Sequence, residues 1–164
     1  MTELYVEEGF VERAEKMAEK RGGRELDLTG CMGQLAVADY LDTHVVDDKH
    51  YDMVVGDKHI SVKTKRRSTA PRPYYDVSVT IARSEVCGPE DYFIFISLQY
   101  TNREFDKVHM LGMMESQKYL SEASFVASGA VDENNNFRAY IDMYNMPISK
   151  LDEVTFSVRE MGTA

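Results

Sequence analysis

Cysteine is scarce in this chain: Cys31 and Cys87 stand far apart, with no CxxC and no Cys/His spacing. That excludes a zinc knuckle and a disulfide framework, and both thiols are expected to be reduced. Long apolar runs are missing too. Nothing approaches the roughly 18 residues a membrane span needs, and the first twenty residues are acidic and helix-patterned rather than signal-like. A soluble, cytoplasmic protein without a membrane partner is expected. No Gly-rich phosphate loop, GxGxxG or GxSxG occurs, and His44, His50, His59 and His109 show no metal-ligand spacing.

Positive charge is also in short supply, with 19 Lys and Arg against 28 Asp and Glu and a formal net charge of −9. Taken alone, that argues against polyanion binding, which draws its affinity from cations set against phosphates. The distribution reverses the argument locally. Residues 57–83 hold 7 basic and 2 acidic side chains, so one short stretch is +5 within a chain that is otherwise −14. A local anion-binding strip on an acidic body has this form, as does a solvated basic edge strand.

At 164 residues the chain suits a single domain with one core. Val6, Phe10, Val11, Ala14, Met17 and Ala18 recur at helical spacing, predicting a helix over about 5–20 that ends at Arg21-Gly22-Gly23. Thr29 is placed to cap a second helix through about Asp42, in which Gly33, Ala36 and Ala38 allow close approach to a neighbour. From Tyr51 the period becomes two. Tyr51–Val55, a turn at Gly56-Asp57-Lys58 and Ile60–Lys65 read as a hairpin, followed by strands at about 74–83, 92–98 and 107–114 and a short helix near Glu115. The continuous apolar run of 92–98 suits a central strand covered on both faces. Residues 132–136 form a loop, the segment around Pro147 and Leu151 is expected to pack irregularly, and the tail beyond about 158 to be loose. The order predicts an α/β (α+β) fold, a mixed central sheet flanked by helices, with both N-terminal helices on one face.

Within the hairpin a loop of Gly56-Asp57 sets Asp52 against Ser61, and a loop of Asp57-Lys58 sets it against Lys63. Either register brings Asp52, Ser61, Lys63 and Lys65 to one side, which a loop of odd length without a bulge would break, with opposed Cβ atoms about 5 Å apart. A carboxylate suits Mg²⁺ (or Mn²⁺), and a neighbouring ammonium can orient a water or neutralise charge on a phosphoryl group. A surface ion pair is the plainer account of the same residues. Beyond the hairpin, Lys65, Arg66, Arg67 and Arg72, with Arg83, lie close in sequence to Tyr74 and Tyr75. Cations beside aromatics can hold phosphates and stack on bases.

Tyr51-Asp52-Met53-Val54-Val55 followed by Ile60-Ser61-Val62-Lys63 resembles the motif of the PD-(D/E)XK nuclease superfamily, and Gly30-Cys31-Met32-Gly33-Gln34 through Tyr40-Leu41 resembles the helix that precedes it there. The likeness covers about residues 29–66. The resemblance implies a restriction-endonuclease-like fold with its core over residues 29–98, Asp52 as metal ligand, Lys63 as the water-activating group, and a small phage-type endonuclease acting on DNA, with a homodimer as a candidate assembly. Two positions depart from the pattern. Gln34 and Ser61 stand where the family has acidic residues, and each exchange removes a charge worth on the order of 4 kcal/mol at about 4 Å in an effective dielectric of about 20. Asp76 and Glu25 are the nearest candidates to replace them. Three readings follow: a metal-dependent nuclease, a nuclease-fold module that binds nucleic acid or protein without cutting, and an acidic DNA mimic that occupies a basic partner.

Overall fold

The hairpin forms where the period-two pattern places it. In the computed structural model, which describes residues 1–80, 88 and 91–156, β2 (Met53–Val55) pairs antiparallel with β3 (Lys58–Arg67). Val55 faces Lys58, so the loop is the two residues Gly56-Asp57, with Gly56 at φ 60° as such a tight turn needs. β3 then runs parallel to β5 (Asp91–Thr101), from His59 opposite Asp91 to Arg67 opposite Gln99. β5 turns through Asn102 and Arg103, both at positive φ, into the antiparallel β6 (Glu104–Glu115). A short strand β1 (Thr2–Leu4) closes the far edge, giving the order β1-β6-β5-β3-β2. The fold is thus α/β with a mixed five-stranded sheet.

β5 is central, and its apolar run serves both faces. Ile94, Ile96 and Leu98 join Ile60 and Val62 beneath α1 (Phe10–Glu19) and α2 (Glu25–Tyr40), while Phe93 and Phe95 face the other way. On that second face a three-stranded sheet packs, in the order β4 (Asp76–Val79), β8 (Met143–Pro147), β7 (Ser124–Val126), with α3 (Ser116–Glu122) beside it. Tyr119, wholly buried, donates its hydroxyl to the Tyr144 carbonyl at 2.7 Å and ties α3 to β8. Each large apolar side chain sealed in these two clusters contributes about 1.5–3 kcal/mol.

Several boundaries differ from the sequence pattern. The first helix begins at Phe10, because Gly9 at φ 87° interrupts the helical path. The second begins at Glu25, four residues before Thr29. The Asp27 carboxylate caps it by accepting the Arg24 N–H at 3.0 Å and the Arg24 guanidinium at 2.9 Å, and Thr29 sits inside the first turns with its hydroxyl donated to the Glu25 carbonyl at 3.0 Å. The strand after the tyrosines does not extend the main sheet. The parallel β3–β5 pairing occupies that edge, and β4 joins the second sheet, so Asp76 is not on a strand paired with the one that carries Lys63. The segment around Pro147 is ordered: β8 leads into a 3-10 turn over Ile148–Lys150, and Asp152 bridges to Met113. Arg83, Cys87 and the tail beyond 158 lie outside the described residues.

Gly33 explains how closely α2 approaches the sheet. A Cβ there would overlap the side chain of Thr64 on β3. The small residues of α2 therefore do what their size suggested.

Candidate functional site

Asp52 precedes β2 at a point where the ladder is irregular. Its N–H donates to the Ile60 carbonyl at 2.8 Å, although Ile60 is already the register partner of Met53. Two successive residues thus address one, the arrangement of a β-bulge, which re-aims the side chain. The Asp52 carboxylate turns toward the edge of β3 and α2: Oδ2 accepts the Val62 N–H at 2.7 Å, and Oδ1 accepts from Gln34 Nε2 at 3.0 Å. The Gln34 amide oxygen accepts in turn from Arg21 at 2.7 Å. Burial pushes the Asp52 carboxyl above the usual carboxylate range, opposed by the Val62 hydrogen bond and by the charges of Lys63 and Arg21.

This network joins two of the four motif residues and leaves two apart. Ser61 donates its hydroxyl to the His50 carbonyl at 3.3 Å. The Lys63 ammonium stands 5.4 Å from the centre of the Phe93 ring, on the face that carries the second sheet. Among the described residues no ion pair or hydrogen bond links Lys63 to Asp52, though its charge acts on that carboxyl. The bulge at Asp52 is the physical reason, since an unbroken pleat would have sent both side chains to one face.

The donor set here does not fit Mg²⁺ or Mn²⁺. A hard divalent cation takes one or two carboxylates with several oxygens around it. Asp52 has both oxygens engaged by N–H donors, the Gln34 oxygen holds a guanidinium, and no cluster of three acidic, His or Cys side chains occurs among the described residues. The two carboxylates that could have filled in are elsewhere. Glu25 pairs with Arg66, and Asp76 accepts from Asn135 Nδ2 at 3.2 Å.

The basic strip divides by the pleat of β3. Arg66 turns to the helical face, where it pairs with Glu25 and stacks 3.8 Å above the Tyr100 ring. Lys65 and Arg67 turn to the opposite face and enter one open cavity of about 590 Å³ with Tyr74, Tyr75, Asp76, Asn134, Asn135 and Pro147. Lys65 donates to Ser78 Oγ at 3.0 Å and to the Asp76 carbonyl at 3.3 Å. Arg67 donates to the same carbonyl at 2.7 Å and to the buried Ser97 Oγ at 3.0 Å, with its guanidinium 5.8 Å from the Tyr75 ring. Arg72 is exposed and outside the lining.

Neither cation in the cavity has a carboxylate in direct contact among the described residues. Their partners are carbonyls and hydroxyls, which hold the side chains in place without neutralising them. Lys65 keeps solvent access, yet protein atoms crowd its ammonium: burial, then the charge of Arg67, pulls its pKa down to about 8, against the pull of Asp76 and Asp132. Burial lowers Arg67 as well. An ammonium has three donors and a guanidinium five. Among the described residues Lys65 therefore keeps one donor uncommitted and Arg67 keeps three. A second cavity, about 440 Å³ beside Tyr40, Gly112 and Leu151, is lined by Asp152 and Glu153 and by no Lys or Arg among the described residues.

Sequence reasoning placed Lys65, Arg66, Arg67, Arg72 and Tyr75 in one functional group; the structure brings Lys65, Arg67 and Tyr75 together and leaves Arg66 and Arg72 outside the cavity. It missed Asn134 and Asn135, which belong to the polar loop over 132–136. They reach the cavity because β8 pairs with β4, a long-range contact that no local spacing announces. No family model, curated protein or solved structure matches the chain.

Proposed function

We propose that this protein binds nucleic acid without hydrolysing it, as a nuclease-like module whose binding centre is the Lys65–Arg67 cavity rather than the Asp52–Lys63 pair. The observation that carries the reading is the convergence of two cations, lacking carboxylate contacts, with two tyrosines in one open cavity on an otherwise acidic chain. Among the described residues both cations keep N–H donors that no protein group takes up, and an anionic ligand is the natural complement. DNA is the favoured partner. The resemblance of residues 29–66 to the PD-(D/E)XK motif supports the same reading, with Gln34 and Ser61 marking where metal chemistry has been given up. In place of a cation, Arg21 supplies positive charge to the Gln34–Asp52 network.

The test combines binding with cleavage. Fluorescence anisotropy with a labelled oligonucleotide should show the double variant Lys65→Met with Arg67→Met losing at least about tenfold in affinity, since each charge-assisted contact is worth roughly 1.5–3 kcal/mol. Plasmid and single-stranded DNA incubated with the protein in Mg²⁺ or Mn²⁺ should stay intact. Cleavage that is abolished by Lys63→Ala would overturn the reading in favour of a metal-dependent endonuclease.

A further inference from the structure

The cavity has features that bear on which form of nucleic acid it takes. Its volume, about 590 Å³, lies within the roughly 300–1,000 Å³ of sites that enclose one small ligand. A duplex keeps its bases stacked in its interior and offers such a hollow only its backbone. An unpaired strand can place a whole nucleotide inside.

The uncommitted groups match the parts of a nucleotide. Tyr74 is 70% exposed and meets Tyr75 edge to face, with centroids 5.2 Å apart, leaving at least one face of Tyr74 open for stacking. The Asn135 amide is engaged at both ends, donating to Asp76 and accepting the Phe137 N–H at 2.9 Å. The neighbouring Asn134 side chain has no hydrogen-bond partner among the described residues, and it lines the same wall. An amide with both a donor and an acceptor can read the edge of a base.

Charge selects the kind of phosphate. Lys65 and Arg67 supply two positive charges, and Asp76 in the lining removes one. The surplus suits the single charge of a phosphodiester. A terminal phosphate monoester, which approaches two charges near neutral pH, would sit against Asp76 without a further cation to balance it.

Resting on the nucleic-acid reading above, we propose that the cavity holds one unstacked nucleotide of a single strand, its internal phosphodiester on Lys65 and Arg67, its base on Tyr74, and the base edge at Asn134.

The experiment uses the full chain and four labelled probes of one sequence: a single strand, the same strand with a 5′-phosphate, a strand of abasic sugars, and the duplex. The single strand should bind best, the duplex and the abasic strand at least about tenfold more weakly, and the 5′-phosphate should add nothing. Tyr74→Ala should cost roughly 5- to 150-fold for the normal single strand, the range of one base–aromatic stack, and little for the abasic one. Tyr74→Phe should restore the affinity. Because Tyr74 is exposed, its loss leaves the core intact. Equal affinity for duplex and single strand, or a gain from the 5′-phosphate, would overturn this inference. If Lys65→Met with Arg67→Met still weakened those complexes, the nucleic-acid reading would stand. No binding to any probe would sink both.

Discussion

Asp52 and Lys65 illustrate opposite consequences of burying a charge. Asp52 keeps its hydrogen bonds yet has its carboxyl pushed up by burial. A raised carboxyl in the folded state means that the folded chain holds more protons than the unfolded one just above the ordinary aspartate value of 3.8. The associated stability is present below that value and is lost as pH rises through the folded pKa. Denaturant titrations across this window should show the decline in the natural chain and a shallower one in Asp52→Asn; identical slopes would place the burial cost elsewhere. Lys65 works the other way. With its pKa near 8, its charge fades as pH rises through that value while Arg67 stays protonated. Affinity for a single-stranded oligonucleotide should therefore drop between neutral and moderately alkaline pH, and Lys65→Arg should remove most of that drop.

At the scale of elements, the packing of α2 on β3 sets the distance across which Gln34 reaches Asp52. Gly33→Ala would gain about 1 kcal/mol of helix propensity, but its methyl would collide with Thr64. Overpacking of this kind costs typically 1–3 kcal/mol. Thermal unfolding should show a net loss, and an unchanged or raised midpoint would mean that α2 can shift freely. How far the sequence revealed these elements depended on how local their causes are. The hairpin around 56–58 and the doubly covered β5 were legible, because turn residues and apolar runs act within a few positions, but the choice of Gly56-Asp57 over Asp57-Lys58 as its loop was not. The start of α2 was not, since an Arg24–Asp27 cap inverts the usual chemistry of a helix N-terminus. Nor was the fate of β4, decided by a parallel pairing between strands more than twenty residues apart. The same division holds for the site. The side of β3 that Lys65 and Arg67 share follows from a period of two, whereas the bulge that separates Asp52 from Lys63 leaves no signature in residue type.

For the molecule as a whole, the proposed binding of nucleic acid by an acidic chain must rely on few ionic contacts. Two cations in one cavity release few counterions, and for a single strand the slope of log affinity against log salt should be only about −1.4. A slope several times steeper would require a basic track that the described residues do not form. Among those residues no helix is long and apolar enough to cross a membrane.

The most direct test is to map binding onto the chain by titrating a short single-stranded oligonucleotide into isotope-labelled protein and following backbone amide shifts. The account predicts that the largest changes fall on 65–67, 74–76 and 134–135. Changes centred on Gln34, Asp52 and Lys63, with that cavity silent, would contradict it.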